Sequence, residues 1–174
     1  MKYINSSIKK YIKDVGARTP APGGGSVAAL SAALSASLIK MACNFTLGKE
    51  KYKKSESRIK VVIKKLDHLL SRAELLVDED VKAYGSGDME KWISVPLEVA
   101  FISFELFKLS VEVLKIGNKR LFSDVKLAGA MAESAFKASC AYVEINLASL
   151  DAIPEKISGP VARLKNILKK QRFI

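Results

Sequence analysis

One histidine and two cysteines in 174 residues remove several kinds of chemistry at the outset. His68 lies beside an apolar stripe with no partner at metal-ligand spacing, which argues against a zinc site or a histidine-centred triad. Cys43 and Cys140 sit inside apolar helical patterns, so they read as reduced core residues of a cytosolic protein. Alternating apolar and polar runs bounded by turn signals are missing, which excludes a half-buried sheet. No internal repeat or low-complexity tract is present, and Met1 leads straight into an amphipathic, lysine-bearing segment without an apolar signal region. The expected location is the cytoplasm. Acidic residues are also short, 18 against 29 Lys and Arg, and the net charge of +11 points to an anionic ligand without saying which. Nucleic acid and a small polycarboxylate are both open at this point.

What fills the chain is helix. Apolar spacing of three and four residues predicts helices over 3–15, 26–47, 55–84, 96–116, 123–150 and 154–170, an all-α, single-domain bundle of about six helices. Ile4, Ile8, Tyr11, Ile12 and Val15 form the stripe of the first, and Pro96 is placed in the first turn of the fourth. The second and fifth are rich in small residues, Ala28, Ala29, Ala32, Ala33 and Ala36 against Ala128, Gly129, Ala132 and Ala135, and are expected to pack closely on each other. Residues 26–47 are apolar enough to raise a membrane span, but Lys40 and several serines favour a buried helix, so no membrane partner is expected.

Chemistry concentrates at the turn Thr19-Pro-Ala-Pro-Gly-Gly-Gly-Ser26. Gly23, Gly24 and Gly25 allow positive φ and remove side chains, while Ser26 stands where a helix N-cap is expected, so the turn reads either as an anion or carbonyl cradle or as a tight structural turn. It is no phosphate-binding P-loop, because no Lys-Ser/Thr follows. In the long third helix Asp80 falls on the apolar stripe between Leu76 and Tyr84, whereas Asp78 and Glu79 point elsewhere. A carboxylate aimed inward needs either an ion-pair partner or a task. Asn44, Asn118, Asp124 and Asn146 lie in comparably apolar surroundings, where each reads as a cap, a satisfied amide or a ligand contact. Lys49 and Lys51 belong to a basic segment that reads as an anion clamp or a solvated loop.

These stations together resemble the cyclodeaminase/cyclohydrolase family of folate enzymes. The matching stretches are the glycine turn through Leu30, Asn44-Phe-Thr-Leu-Gly-Lys-Glu-Lys-Tyr52, Asp78-Glu-Asp-Val-Lys-Ala-Tyr84, Val95-Pro-Leu-Glu98, Gly117-Asn118 with Ser123-Asp124, and Asn146-Leu147, in family order. The resemblance implies an all-helical subunit, commonly a homodimer, that acts on a tetrahydrofolate derivative, with or without extra glutamates, and needs no metal or tightly bound cofactor. It implies methenyltetrahydrofolate cyclohydrolase or formimidoyltetrahydrofolate cyclodeaminase activity, with Asp80 as the catalytic acid/base. It further implies that Lys49 and Lys51 hold anionic groups, that the glycine turn and Ser26 wall the pocket, and that Asn44, Asn118, Asp124 and Asn146 orient the folate.

One departure is visible: only residues 85–94 separate the aspartate motif from Val-Pro-Leu-Glu, where the family carries a longer helical insertion. A folate-binding protein without chemistry therefore stands as one alternative. A basic module for nucleic acid or an acidic partner, resting on the Lys and Arg of 49–65 and 165–172, stands as another. Few aromatics, mostly phased into the core, speak against nucleic acid.

Overall fold

The computed structural model describes residues 2–150 and 152–170; Arg172 of the last basic segment lies outside them. Among the described residues there is no strand, and six α-helices carry the fold: α1 (Ile8–Val15), α2 (Gly24–Asn44), α3 (Glu56–Ser86), α4 (Met89–Ile116), α5 (Phe122–Leu147) and α6 (Glu155–Lys170). Short 3-10 turns precede α1, α3 and α5.

Helices α2 and α5 pack small residue on small residue, as expected. Ala29, Ala32 and Ala36 of α2 and Ala128 and Ala132 of α5 are wholly buried. With no side chain beyond a methyl, the backbones approach until the Ser35 hydroxyl donates to the Ala128 carbonyl at 2.8 Å. The two run antiparallel, since Gly24 meets Tyr142 and Ser35 meets Ala128. α3 and α4 complete the bundle, and α6 packs on α4, its Ile157, Val161 and Leu164 joining Ile93, Leu97 and Ala100 of α4 and Phe136, Cys140 and Val143 of α5 in one cluster. α2 is long and apolar enough to cross a membrane, but 56% of its most apolar window is buried inside the bundle. Both cysteines are free and buried, and burial pushes each thiol up to about 12.

Several elements differ from the sequence expectation: α2 and α5 end three residues earlier than predicted, and the ends of α1, α3 and α4 are set by other contacts. The first helix is split: Ser7 caps α1 by accepting from the Lys10 N–H, while residues 3–5 form a separate 3-10 turn. Of its predicted stripe only Tyr11 is buried, and Ile8 and Ile12 are exposed. That separate turn covers Asp78, which was expected to point away from the interior. Asp78 is 6% exposed and accepts from the backbone N–H groups of Tyr3 at 2.5 Å and Ile4 at 3.4 Å. Its carboxylate thus replaces the helical partners that the turn cannot supply.

At the other end of α3, the helix continues to Ser86, Gly87 closes it at φ 67°, and Asp88 caps α4 by accepting from the Glu90 and Lys91 N–H groups. The short connection is therefore a tight turn between two long antiparallel helices. Pro96 consequently lies inside α4 rather than in its first turn.

Candidate active site

A cavity of about 280 Å³ opens where the N-terminus of α2, the last turns of α3, the first turns of α4 and the end of α5 converge. Asp80 lines it, together with Gly23, Gly24 and Gly25. Two opposed forces set the charge of Asp80. Burial is the larger and raises its pKa above the ordinary carboxylate range, while the Ser26 backbone N–H donates to the carboxylate and stabilises the anion. That N–H belongs to the first turn of α2, where helical partners are missing and the helix dipole favours negative charge. The result is a carboxylate that can both take and return a proton nearer neutrality than an ordinary aspartate.

The glycines act by space and not by backbone freedom. None of the three has positive φ; among the described residues that conformation occurs at Gly48 and Gly87. Gly23 is the N-cap residue of α2, in extended backbone. A Cβ on Gly25 would lie 2.1 Å from Asp80 Oδ1, and one on Gly24 would lie 1.8 Å from the Tyr142 hydroxyl. Two successive positions thus lack a side chain because functional groups of α3 and α5 occupy that room. Ser26 is neither the N-cap nor a cavity residue: it is wholly buried. Its hydroxyl donates to the Val77 carbonyl at 2.9 Å, which leaves the Tyr11 hydroxyl to donate to Ser26 Oγ, also at 2.9 Å. It anchors α1 and α2 to α3 behind Asp80.

Trp92 forms the opposite wall. Its ring stacks on Tyr84 with centroids 6.0 Å apart and planes at 14°, and its Nε1–H donates to the Ala83 carbonyl at 2.7 Å. Its own carbonyl would accept the N–H of residue 96 in a regular helix, but Pro96 has none. Asn146 Nδ2 of α5 donates to that freed carbonyl at 2.6 Å. Pro96 and Asn146 are therefore one device that joins α4 to α5 at the cavity. Asn146→Ala is expected to cost about 1–2 kcal/mol, the penalty of leaving the carbonyl unpaired. In a Pro96→Ala background, where residue 96 regains its N–H, that cost falls by about 1 kcal/mol, read as the coupling of a double-mutant cycle in urea unfolding.

Outside this wall Arg72 braces α3 against α4. It donates to both oxygens of Glu98, from Nε at 2.6 Å and Nη2 at 2.8 Å, and to both oxygens of Glu79 at 2.7 Å. The guanidinium holds Glu79 below the usual carboxylate range, and the two carboxylates raise Arg72 further.

The remaining sequence candidates lie elsewhere. Asn44, Lys49 and Lys51 are exposed at the far end of α2, and a helix of this length spans about 30 Å. Lys51 rests over the Tyr52 ring at 5.8 Å. Asn118 is a structural cap: its Oδ1 accepts from the Arg120 N–H and its Nδ2 donates to the Phe45 carbonyl, both at 3.1 Å. Asp124 follows in the first turn of α5. One chain accordingly brings Asp80, Gly23, Gly24, Gly25 and Asn146 together and leaves Ser26, Asn44, Lys49, Lys51, Asn118 and Asp124 out of the cavity. Sequence reasoning missed Tyr142 and Trp92. Tyr142 lies four residues before Asn146 on the same helical face, and that spacing was the available signal. Trp92 had none, because its place depends on α4 starting at Met89.

Comparison with known proteins shows what the chain is similar to. The sequence profile of the formiminotransferase-cyclodeaminase family matches residues 7–87 and 86–156. A methenyltetrahydrofolate cyclohydrolase of Methylorubrum extorquens is 28% identical over 170 residues, covering 84% of this chain and 82% of its own length. A formimidoyltransferase-cyclodeaminase of Rattus norvegicus is 26% identical over 97% of this chain, which spans only 36% of that protein. The crystal structure of a formiminotetrahydrofolate cyclodeaminase from Thermotoga maritima superposes with a TM-score of 0.74 over 95% of this chain and 88% of that one, at 21% identity, and shares the fold.

Proposed function

The chain belongs to the formiminotransferase-cyclodeaminase family, and from that premise we propose that it is a folate one-carbon enzyme, a methenyltetrahydrofolate cyclohydrolase with Asp80 as its acid/base. The observation that carries this reading is the Asp80 carboxylate, held at the N-terminus of α2 in a cavity walled by glycines on one side and a stacked Tyr84–Trp92 pair on the other. The similarity to the Methylorubrum cyclohydrolase over most of both chains favours the hydrolytic reaction. The methenyl bridge between N5 and N10 is a delocalised cation, so the ionised carboxylate attracts it. Asp80 then takes a proton from the attacking water as the C–O bond forms. It returns that proton to the nitrogen whose C–N bond breaks, and as the ring opens the hydroxyl left on the carbon gives its proton to the regenerated carboxylate and on to water, yielding the formyl product and one released proton. No further proton donor is needed, since the carboxyl that accepts the first proton supplies the second.

The cyclodeaminase reaction uses the same group on a protonated formimino carbon: N10 attacks and gives its proton to Asp80, which passes it to the amino nitrogen as that C–N bond breaks and ammonia leaves. Turnover separates the readings. Loss of methenyl absorbance with formyl product supports the cyclohydrolase, and ammonia release from the formimino substrate supports the cyclodeaminase. Tight calorimetric binding of reduced folates with neither reaction leaves a folate-binding protein without chemistry. Absence of both binding and turnover would remove the folate reading altogether.

The same reading includes a cytoplasmic homodimer, supported by an apolar stripe on the outer face of α2. Val27, Leu34, Leu38, Met41 and Phe45 recur at spacings of seven, four, three and four residues, and Leu34 and Phe45 are 49% and 55% exposed. The stripe carries no charge in a chain of +11. Two copies joined through it with α2 antiparallel would set the Asn44, Lys49 and Lys51 end of one beside the glycine turn of the other. That accounts for candidates that a single chain leaves about 30 Å apart. Leu34→Glu is expected to convert a dimer to a monomer in sedimentation velocity; a wild-type protein that sediments as a monomer would overturn the arrangement.

A further inference from the structure

Two cavities meet at Ala83 and Lys91. The one at Asp80 encloses about 280 Å³ and its neighbour about 310 Å³. Pockets for drug-sized ligands enclose roughly 300–1,000 Å³, so with the reacting carbon of a folate at Asp80 the first cavity alone is at the small end and leaves the far end of the molecule to be placed. On α3, Asp80, Ala83 and Tyr84 line the first cavity while Glu79, Lys82, Ala83 and Ser86 line the second. On that helix Ala83 is the residue common to both. On α4, Lys91 lines both.

Charge in the second cavity is unevenly spent. Arg72 occupies both of its carboxylates, Glu79 and Glu98. Lys82 has no ion-pair partner within 4 Å among the described residues, and Lys91 pairs with Asp88 at 3.2 Å in an exposed contact of little strength. Of the two cations left available, Lys91 lines both cavities and Lys82 lines the neighbour.

We propose that Lys91 and Lys82 form the subsite for the carboxylate-bearing glutamyl end of the folate, in the cavity next to Asp80. The proposal rests on the folate reading above and moves the anion site from Lys49 and Lys51 of the same chain to the first turn of α4. Lys91 reaches this position because the connection after α3 is reduced to Gly87 and Asp88, which brings the start of α4 to the rim.

The test measures kcat/KM for substrate carrying several, one or no glutamates, using whichever of the methenyl and formimino forms the wild type turns over. Wild type is compared with Lys91→Glu, Lys91→Gln, Lys82→Glu and a distant charge reversal, Lys64→Glu, about 27 Å from Lys82 along α3. The preference for glutamylated over tail-less substrate is expected to fall about tenfold in Lys91→Glu and Lys82→Glu, by less in Lys91→Gln, and to stay at the wild-type value in Lys64→Glu. Added salt should erode the preference in wild type and not in the Lys91→Glu/Lys82→Glu double variant. An unchanged preference in both charge reversals, an equal fall in Lys64→Glu, or a wild type indifferent to the tail would overturn the subsite and leave the proposed reaction standing. A wild type that neither binds nor converts any reduced folate would overturn both.

Discussion

Asp80→Asn is expected to lower kcat by about 10²–10⁴, the contribution of a positioned acid/base, and to raise stability at neutral pH. The two effects have one origin. Asparagine retains an oxygen to accept the Ser26 N–H, so the turn keeps its hydrogen bond, but the amide can neither take a proton from water nor give one to nitrogen. Burial raises the folded-state pKa of Asp80 above its unfolded value. Ionising it therefore costs more in the folded protein than in the unfolded chain. The stability loss is fully present above the folded pKa and disappears as pH falls below the unfolded one. Calorimetric unfolding of wild type and Asp80→Asn should show the variant melting higher at neutral pH, with the gap closing toward the acid side of the carboxylate range. In the same enzyme the acid limb of kcat/KM should lie above the position an ordinary aspartate would give. Equal turnover by a folded Asp80→Asn protein would remove Asp80 from the mechanism.

Gly25→Ala is expected to abolish most activity while leaving the fold intact. The added methyl would sit 2.1 Å from Asp80 Oδ1 and 2.7 Å from its Cγ, so the carboxylate must swing away, losing the Ser26 N–H and its aim at the reacting carbon. A misplacement of about 1 Å can cost 10²-fold in rate. Stability responds differently. Alanine gains up to about 1 kcal/mol of helix propensity over glycine, set against about 1–3 kcal/mol for overpacking. The carboxylate has a cavity to move into, so the second figure should fall at its low end. Gly24→Ala meets the hydroxyl end of the Tyr142 side chain and not the proposed acid/base, so its effect on activity is expected to be milder. Measured kcat beside a thermal melt separates the three: activity should follow the order wild type, Gly24→Ala, Gly25→Ala, with melting temperatures within a few degrees.

Helix positions were legible in the residues because apolar periodicity is a local property. The small-residue faces of α2 and α5 announced their own pairing, since only side chains that short permit such close backbones. Helical phase likewise singled out Asp80, one turn from Leu76 and Tyr84, and the likeness to folate enzymes rested on residues in order along the chain. Phase failed for Asp78, whose burial comes from residues 3–5, more than seventy positions away, folding over it. Pro96 was misplaced for a related reason: a proline inside a helix is tolerated only if another group satisfies the carbonyl it frees, and Asn146 does so from a different helix. The glycine turn marked a site by its composition, yet its purpose, making room for Asp80 and Tyr142, required the positions of α3 and α5. Periodicity along one chain decides which elements form and which face is apolar. Which polar groups share a cavity depends on how those faces meet, and that is why Lys91 and Trp92 stand at the rim while Asn118 closes a distant turn.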